Sequence, residues 1–154
     1  MIMLIYTHLA ITLFFVLLLM PFVEYKIVFL ISALISSIIP DIDSKFSTLG
    51  RKKILRILQF FVKHRGILHS FSFLFLISLL LILFYPKIAF GFVLGYGLHL
   101  FADSFTKNGI KPFYPFKRKI RGIIKTGGKL ETMIFVVFLI ADLFLIIRFF
   151  VDIF

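Results

Sequence analysis

The 154-residue sequence contains no cysteine. Disulfide bonds and thiolate metal ligands are therefore excluded, and any metal ion must be held by imidazole and carboxylate groups. The missing cysteines give no indication of the redox compartment in which the protein works.

Acidic residues are scarce: seven Asp and Glu stand against 18 Lys and Arg, which gives a formal net charge of +11. A charge of this size is also typical of proteins that bind nucleic acid. Here, however, the basic residues flank long apolar runs and form no separate basic module. No nucleic-acid partner is expected, and lipid headgroups or phosphate-bearing substrates fit the charge better.

Polar residues of every kind are few, since 61% of the chain is apolar, with 23 phenylalanines and a mean hydropathy of +1.10. These values lie far outside the range of soluble proteins. They predict an integral membrane protein in which residues 1–154 form a single membrane domain. The first apolar run lacks the basic leading region and the small-residue cleavage site of a secretory signal, so we expect it to stay in the mature protein.

Five apolar runs predict an all-α fold, a multi-pass bundle of transmembrane helices. Each run is close to the ~20 residues that a helix needs to cross ~30 Å of hydrocarbon. The predicted spans are Ile2–Met20, Val23–Ile39, Ile67–Tyr85, Lys87–Phe105 and Thr132–Phe150. The sequence does not indicate an oligomeric state.

The distribution of charge predicts the orientation of these spans. Residues 41–66 hold seven Lys or Arg, and residues 107–131 hold eight more. With five spans, both segments lie on the same side of the membrane as the N-terminus, and the positive-inside rule makes that side cytoplasmic. The prediction is an inner or plasma membrane protein with a cytoplasmic N-terminus.

The first basic segment includes an amphipathic pattern within residues 51–65. Its apolar residues fall on one helical stripe, and most of its basic residues lie elsewhere. The stripe consists of Ile54, Ile57, Leu58, Phe61 and Val62. The pattern predicts an interfacial amphipathic helix, with an ordinary positively charged topogenic loop as the alternative.

All four histidines and five of the seven acidic residues lie at or near ends of apolar runs, close to the basic segments. His99 and Asp103 are one helical turn apart and share a face, so one cation could contact both. Taken alone, such a pair also fits a histidine and an aspartate that satisfy each other within a helix bundle. The convergence of the set instead predicts a metal site, with the ligands His8, Asp41, His64, His69, His99 and Asp103. Asp142 and Asp152 fall outside this set.

Neutral imidazoles together with carboxylates suit zinc, manganese or iron better than calcium. Zinc is the first expectation, and six ligands could hold one or two ions.

Several motifs together resemble one known family. Pro40-Asp41-Ile42-Asp43, His64-Arg65-Gly66-Ile67-Leu68-His69-Ser70 and His99-x-x-x-Asp103, followed by Thr106 and Gly109, resemble the YdjM-like membrane-bound metal-dependent hydrolases. His8 and Gly127-Gly128-Lys129-Leu130-Glu131 fit the same pattern. The resemblance implies a small multi-pass inner-membrane hydrolase, which in bacteria is sometimes linked to the LexA-controlled damage response. Leu68 departs from the pattern, because a threonine usually stands there. The His-x-x-x-Asp spacing is also distantly similar to zinc-dependent phospholipase C.

The function predicted from the sequence is metal-dependent hydrolysis at the cytoplasmic face, on a phosphoester or another lipid-linked substrate. Asp43 or Glu131 would act as general base or as a further ligand. Arg65, the third candidate catalytic residue, would hold a phosphate together with Lys107 or Lys111.

The alternative prediction is a metal-stabilised membrane protein without catalysis, which binds a partner or handles ions. A buried and closed site would favour that alternative, and an open coordination position would favour the enzyme.

Overall fold

The computed structural model describes residues 5–43 and 67–151. Within these ranges the chain is mostly helical, residues 105–128 form turns with isolated β-bridges, and the all-α prediction is confirmed. The helices are α1 (Ile5–Leu19), α2 (Lys26–Ser36), α3 (Phe71–Phe84), α4 (Pro86–Ser104) and α5 (Lys129–Val151). The predicted interfacial helix, His64 and Arg65 lie outside the described residues, as does the side chain of Asp43.

One end of the bundle gathers the first turns of α1, α3 and α5 and the last turns of α2 and α4. The Thr7 hydroxyl of α1 donates a hydrogen bond to Glu131 of α5. His99 near the end of α4 contacts the carbonyl of Ser37, which directly follows α2. These contacts place Thr7, Glu131 and His99 at the same end of the bundle as the end of α2.

Among residues 5–43 and 67–151, two helical segments are long and apolar enough to cross a membrane by length and composition, Ile5–Phe22 and Lys129–Phe149. Phe71–Phe84 is apolar but shorter. The second predicted span is also shorter than expected, because α2 covers only 11 residues. The helix begins at Lys26, three residues after the predicted start, and Val23 has an extended backbone with φ −112° and ψ 133°. At its end, the hydroxyls of Ser36 and Ser37 donate to the carbonyls of the preceding turn.

Large apolar side chains cover the outward surfaces of α3 and α5. They include Phe75, Leu83, Phe84, Val137, Ile140, Phe144 and Ile147, each more than half exposed. A continuous apolar surface of this extent is rare on a soluble monomer. Contact with lipid removes it from water, while the helical backbone satisfies its own hydrogen bonds.

Two glycines allow α4 to pack closely on α2. A Cβ atom placed on Gly91 would overlap the Ser32 Oγ, and one placed on Gly95 would overlap the Ala33 carbonyl oxygen. Such small residues let helix backbones approach each other within a membrane. This contact fixes the position of His99, one turn beyond Gly95, relative to the end of α2.

We expect Gly95→Ala to be destabilising, because the added methyl group would overlap the backbone of α2. The expected loss of unfolding free energy is about 1–3 kcal/mol, the usual effect of overpacking. Gly97→Ala is the matched control, since its Cβ would meet only the Leu74 Cδ2 at an ordinary 3.7 Å. Thermal unfolding in detergent compares the two variants. Equal stability of both would contradict the close packing of α2 and α4.

Candidate metal centre

The C-terminal part of α4 places two site residues on one buried face. His99 and Asp103 lie one turn apart and are almost completely inaccessible to solvent. His8, near the start of α1, stacks on His99 with a ring-centroid distance of 3.9 Å and an interplanar angle of 15°. Its Nε2 atom lies 3.7 Å from Oδ1 of Asp103. Two helices far apart in sequence thus bring three candidate ligands together.

Two short 3-10 turns supply the other members of the cluster. Asp41 lies in the turn Ile39–Asp43 after α2, and His69 ends the turn Ile67–His69 before α3. Ser70 then caps α3, because its hydroxyl accepts a hydrogen bond from the Phe73 amide at 3.2 Å. The cap fixes where α3 begins and therefore where His69 lies. Both turns end at the same cluster, and both Asp41 and His69 are buried.

The carboxylates lie between the imidazoles. The Nε2 atoms of His69 and His99 are each 3.8 Å from Oδ1 of Asp41. The Nε2 atom of His69 is also 3.7 Å from Oδ2 of Asp103. These separations exceed a direct N–H···O hydrogen bond. They approach the spacing of two ligands on one ion, about 3.4 Å for tetrahedral bonds of ~2.1 Å.

The ligand atoms form two overlapping trios, His8 with Asp41 and His99, and His69 with His99 and Asp103. Within each trio all ligand atoms lie within 4.8 Å of one another. The donor set, imidazole nitrogens with carboxylate oxygens, is one that zinc and related divalent ions accept. The cluster could therefore hold a metal ion.

His99 has a defined tautomer. Its Nδ1 atom lies 2.7 Å from the carbonyl oxygen of Ser37, and a carbonyl only accepts, so Nδ1 carries the proton and donates. The Nε2 atom, which makes no hydrogen bond within the described part of the chain, then presents its lone pair to the cluster. A backbone carbonyl on the outer nitrogen is a common arrangement for a metal-binding histidine. His99 belongs to both trios but has one nitrogen to offer, so the two trios describe one shared centre.

A comparison with known families matches nearly the whole chain. The profile of the YdjM inner membrane protein family matches residues 3–151. The chain belongs to the YdjM inner membrane protein family. The family resemblance predicted from the motifs is thus confirmed, and so is the placement among inner-membrane proteins. The similarity to zinc-dependent phospholipase C stays a prediction.

A relative of this YdjM-family chain occurs in Bacillus subtilis (strain 168). It is the uncharacterized protein YvsG, which is 29% identical over 109 residues. The match covers 67% of this chain and 68% of the relative. No solved structure matches the chain.

Glu131 lies beside the cluster and belongs to neither trio. It is buried at the start of α5, where its Oε1 accepts from the Thr7 hydroxyl at 3.3 Å and its Oε2 accepts from the Gly127 amide at 2.5 Å. Gly127 has a φ of 69°, a conformation that favours glycine. Since Thr7 directly precedes His8, Glu131 links the start of α5 to the turn of α1 that carries a candidate ligand.

The two lysines predicted to hold phosphate follow α4 in the YdjM-family chain. Lys107 is exposed, and its backbone amide donates to the Ile124 carbonyl at 2.9 Å. Lys111 is half-buried. Neither belongs to either of the two candidate trios.

Several positioning residues could not be identified from the sequence. The Ser37 contact uses a backbone carbonyl, which leaves no signal in the side-chain pattern. The Tyr96 hydroxyl donates to the Leu68 carbonyl at 2.5 Å and holds the turn that carries His69. Thr7 could have been identified from the sequence, because it is a second polar residue directly beside His8 within an apolar run.

Proposed function

We propose that this protein is a membrane-embedded metal-dependent hydrolase that holds one divalent ion, zinc first, with manganese or iron as alternatives. One observation carries the proposal: five buried imidazole and carboxylate groups from four separate segments converge in overlapping trios. The ligands are His8, Asp41, His69, His99 and Asp103, and His64 is a candidate further ligand. One ion is favoured over two because both trios share His99, whose Nδ1 donates to Ser37, so that only its Nε2 can bind an ion.

The cluster suits a divalent cation electrostatically. Two carboxylates, Asp41 and Asp103, are buried among the imidazoles of His8, His69 and His99, and buried charge is costly unless it is paired. A divalent ion would balance both carboxylates. When bound, such an ion supplies Lewis acidity, which acidifies a water molecule and polarises an ester oxygen.

The remaining roles fall to residues around the cluster. We assign the general base to Asp43, two residues after Asp41 in the same turn. Glu131 is a positioning residue, since its carboxylate oxygens accept bonds from Thr7 and Gly127. Arg65, Lys107 and Lys111 are candidates for binding a phosphate, because guanidinium and ammonium groups donate several hydrogen bonds to its oxygens.

In this proposal the five helices cross the inner membrane, with the N-terminus and the metal centre at the cytoplasmic face. The outward apolar surfaces of α3 and α5 support lipid contact, and the two basic segments of the sequence, residues 41–66 and 107–131, support the orientation. A lipid-linked phosphoester would reach the site laterally from the bilayer. Water would enter from the cytoplasm.

One observation favours the second candidate function, a metal-stabilised membrane protein without catalysis. The five candidate ligands that the structure describes are at most 1% exposed, which is typical of a closed structural centre. An enzyme needs one coordination position that substrate can reach.

Assays of zinc-loaded protein in mixed micelles distinguish the two functions. We expect release of phosphate or headgroup from at least one member of a broad panel of phospholipid and lipid-linked phosphoesters. Asp43→Asn should lower kcat by about 100-fold or more, the usual contribution of a general base, with the metal retained. Asp142→Asn is the matched control, because Asp142 lies in the middle of α5 and outside both trios. If metal-replete protein cleaved no phosphoester of the panel, the hydrolase proposal would be rejected in favour of the metal-stabilised protein without catalysis.

A further inference from the structure

The segment between α4 and α5, which we call the hairpin, folds back on itself through main-chain contacts. Ile110 and Ile120 exchange a pair of backbone hydrogen bonds of 3.0 Å in an antiparallel bridge, and Thr106 forms a parallel bridge with Ile124. The chain also passes very close to the end of α4, because a Cβ atom placed on Gly122 would overlap the Phe105 carbonyl oxygen. The shape of the hairpin is therefore set by backbone contacts.

The base of the hairpin is fixed to the end of the bundle that carries the metal centre. Ile110 is completely buried in a cluster with Leu74, Tyr96 and Leu100. The Phe71 amide, two residues after His69, donates to the Pro112 carbonyl at 2.8 Å. The hairpin thus projects from the same end of the bundle as His69.

Residues 113–125, which we call the hairpin tip, combine large apolar side chains with positive charge. Phe113, Phe116 and Ile123 are 61%, 73% and 79% exposed. The basic residues of the tip are exposed as well, and they are Lys117, Arg118, Lys119, Arg121 and Lys125. Residues 105–128 include no acidic residue.

We propose that the hairpin tip docks on anionic phospholipid headgroups of the bilayer in which the protein resides. Its charge complements these headgroups, and adjacent aromatic and aliphatic side chains can enter the boundary between headgroups and acyl chains. A topogenic loop needs only the positive charge. It requires neither a fixed hairpin nor exposed side chains such as Phe113 and Phe116. The proposal rests on residence in a membrane and not on hydrolysis.

The composition of the chain offers a direct probe of this contact. The sequence has no tryptophan, so Phe116→Trp introduces the single indole of the protein. Full-length protein is reconstituted into vesicles in which either phosphatidylglycerol or phosphatidylcholine carries brominated acyl chains, at the same mole fraction. We expect bromine to quench the introduced indole at least about threefold more strongly when it is carried by phosphatidylglycerol, and high salt to reduce the preference.

Phe22→Trp is the matched control, because Phe22 is 85% exposed in the turn that follows α1, away from the hairpin. Its indole should be quenched equally by the two lipids. Replacing Lys117, Arg118 and Lys119 together with alanine in the Phe116→Trp background should remove the preference. Unquenched fluorescence, or equal quenching by both lipids, would overturn the proposal. The proposal would also be overturned if the indole fluorescence changed with the protein-to-lipid ratio but not with the headgroup. That result would assign the surface to contact with a second copy of the chain.

Discussion

Asp103→Asn is expected to abolish stoichiometric metal binding. Asp103 offers its two carboxylate oxygens to His8 and His69, each at 3.7 Å, so it joins two of the imidazoles around the proposed ion. An amide of the same size cannot supply the negative charge. Loss of a residue that hydrogen-bonds to a metal ligand lowers metal affinity by about 10–100-fold. Loss of a ligand itself should lower the affinity by at least about 100-fold. Metal content after dialysis, measured by elemental mass spectrometry, tests this.

Asp142→Asn is again the control, because it makes the same chemical change at a buried aspartate outside the cluster. It should leave the metal content at the wild-type level. Circular dichroism establishes that both variants remain helical. If Asp103→Asn kept its metal through dialysis, Asp103 would not be a ligand. If both variants lost it equally, the loss would reflect general destabilisation.

Removal of the metal should lower the stability of the folded protein, and this is the second largest effect that we expect. Without an ion, Asp41 and Asp103 remain buried among the imidazoles with no divalent charge to balance them. A ligand at about 1,000 times its Kd stabilises the folded state by about 4 kcal/mol. At about 2–4 °C per kcal/mol for a chain of this size, chelation should lower Tm by about 10 °C.

Thermal unfolding in detergent, with and without a chelator, measures this shift. Asp103→Asn serves as the internal reference, because a protein that holds no metal should unfold at the same temperature in both conditions. Restoring zinc should restore the wild-type Tm. If the chelator removed the metal from the wild-type protein and its Tm did not change, a stabilising role of the ion would be contradicted.

The members of the candidate cluster could be predicted largely because polar residues in an apolar chain are few and conspicuous. His8 is costly within an apolar run unless it meets a partner, and the structure places it against His99 and Asp103. The one-turn spacing of His99 and Asp103 placed both on one face. Of the six predicted ligands, the structure brings five together, and His64 lies outside the described residues.

Other features could not be predicted because they depend on packing or on the backbone. The carbonyl of Ser37 fixes the tautomer of His99 without any side-chain signature. The sequence left open whether one or two ions are held, and only that contact favours one. Glu131 could be read as ligand or base, whereas its bonds to Thr7 and Gly127 indicate a positioning role. The end of α2 was misplaced, because serine hydroxyls bond back to the preceding turn.

X-ray absorption at the metal edge of the purified protein tests the central claim, that these buried side chains coordinate one ion. We predict a first shell of nitrogen and oxygen ligands at ~2.0–2.2 Å, with the outer-shell scattering of several imidazole rings. Asp103→Asn should lose this signature, and Asp142→Asn should retain it. A fully hydrated ion without imidazole scattering would contradict the account.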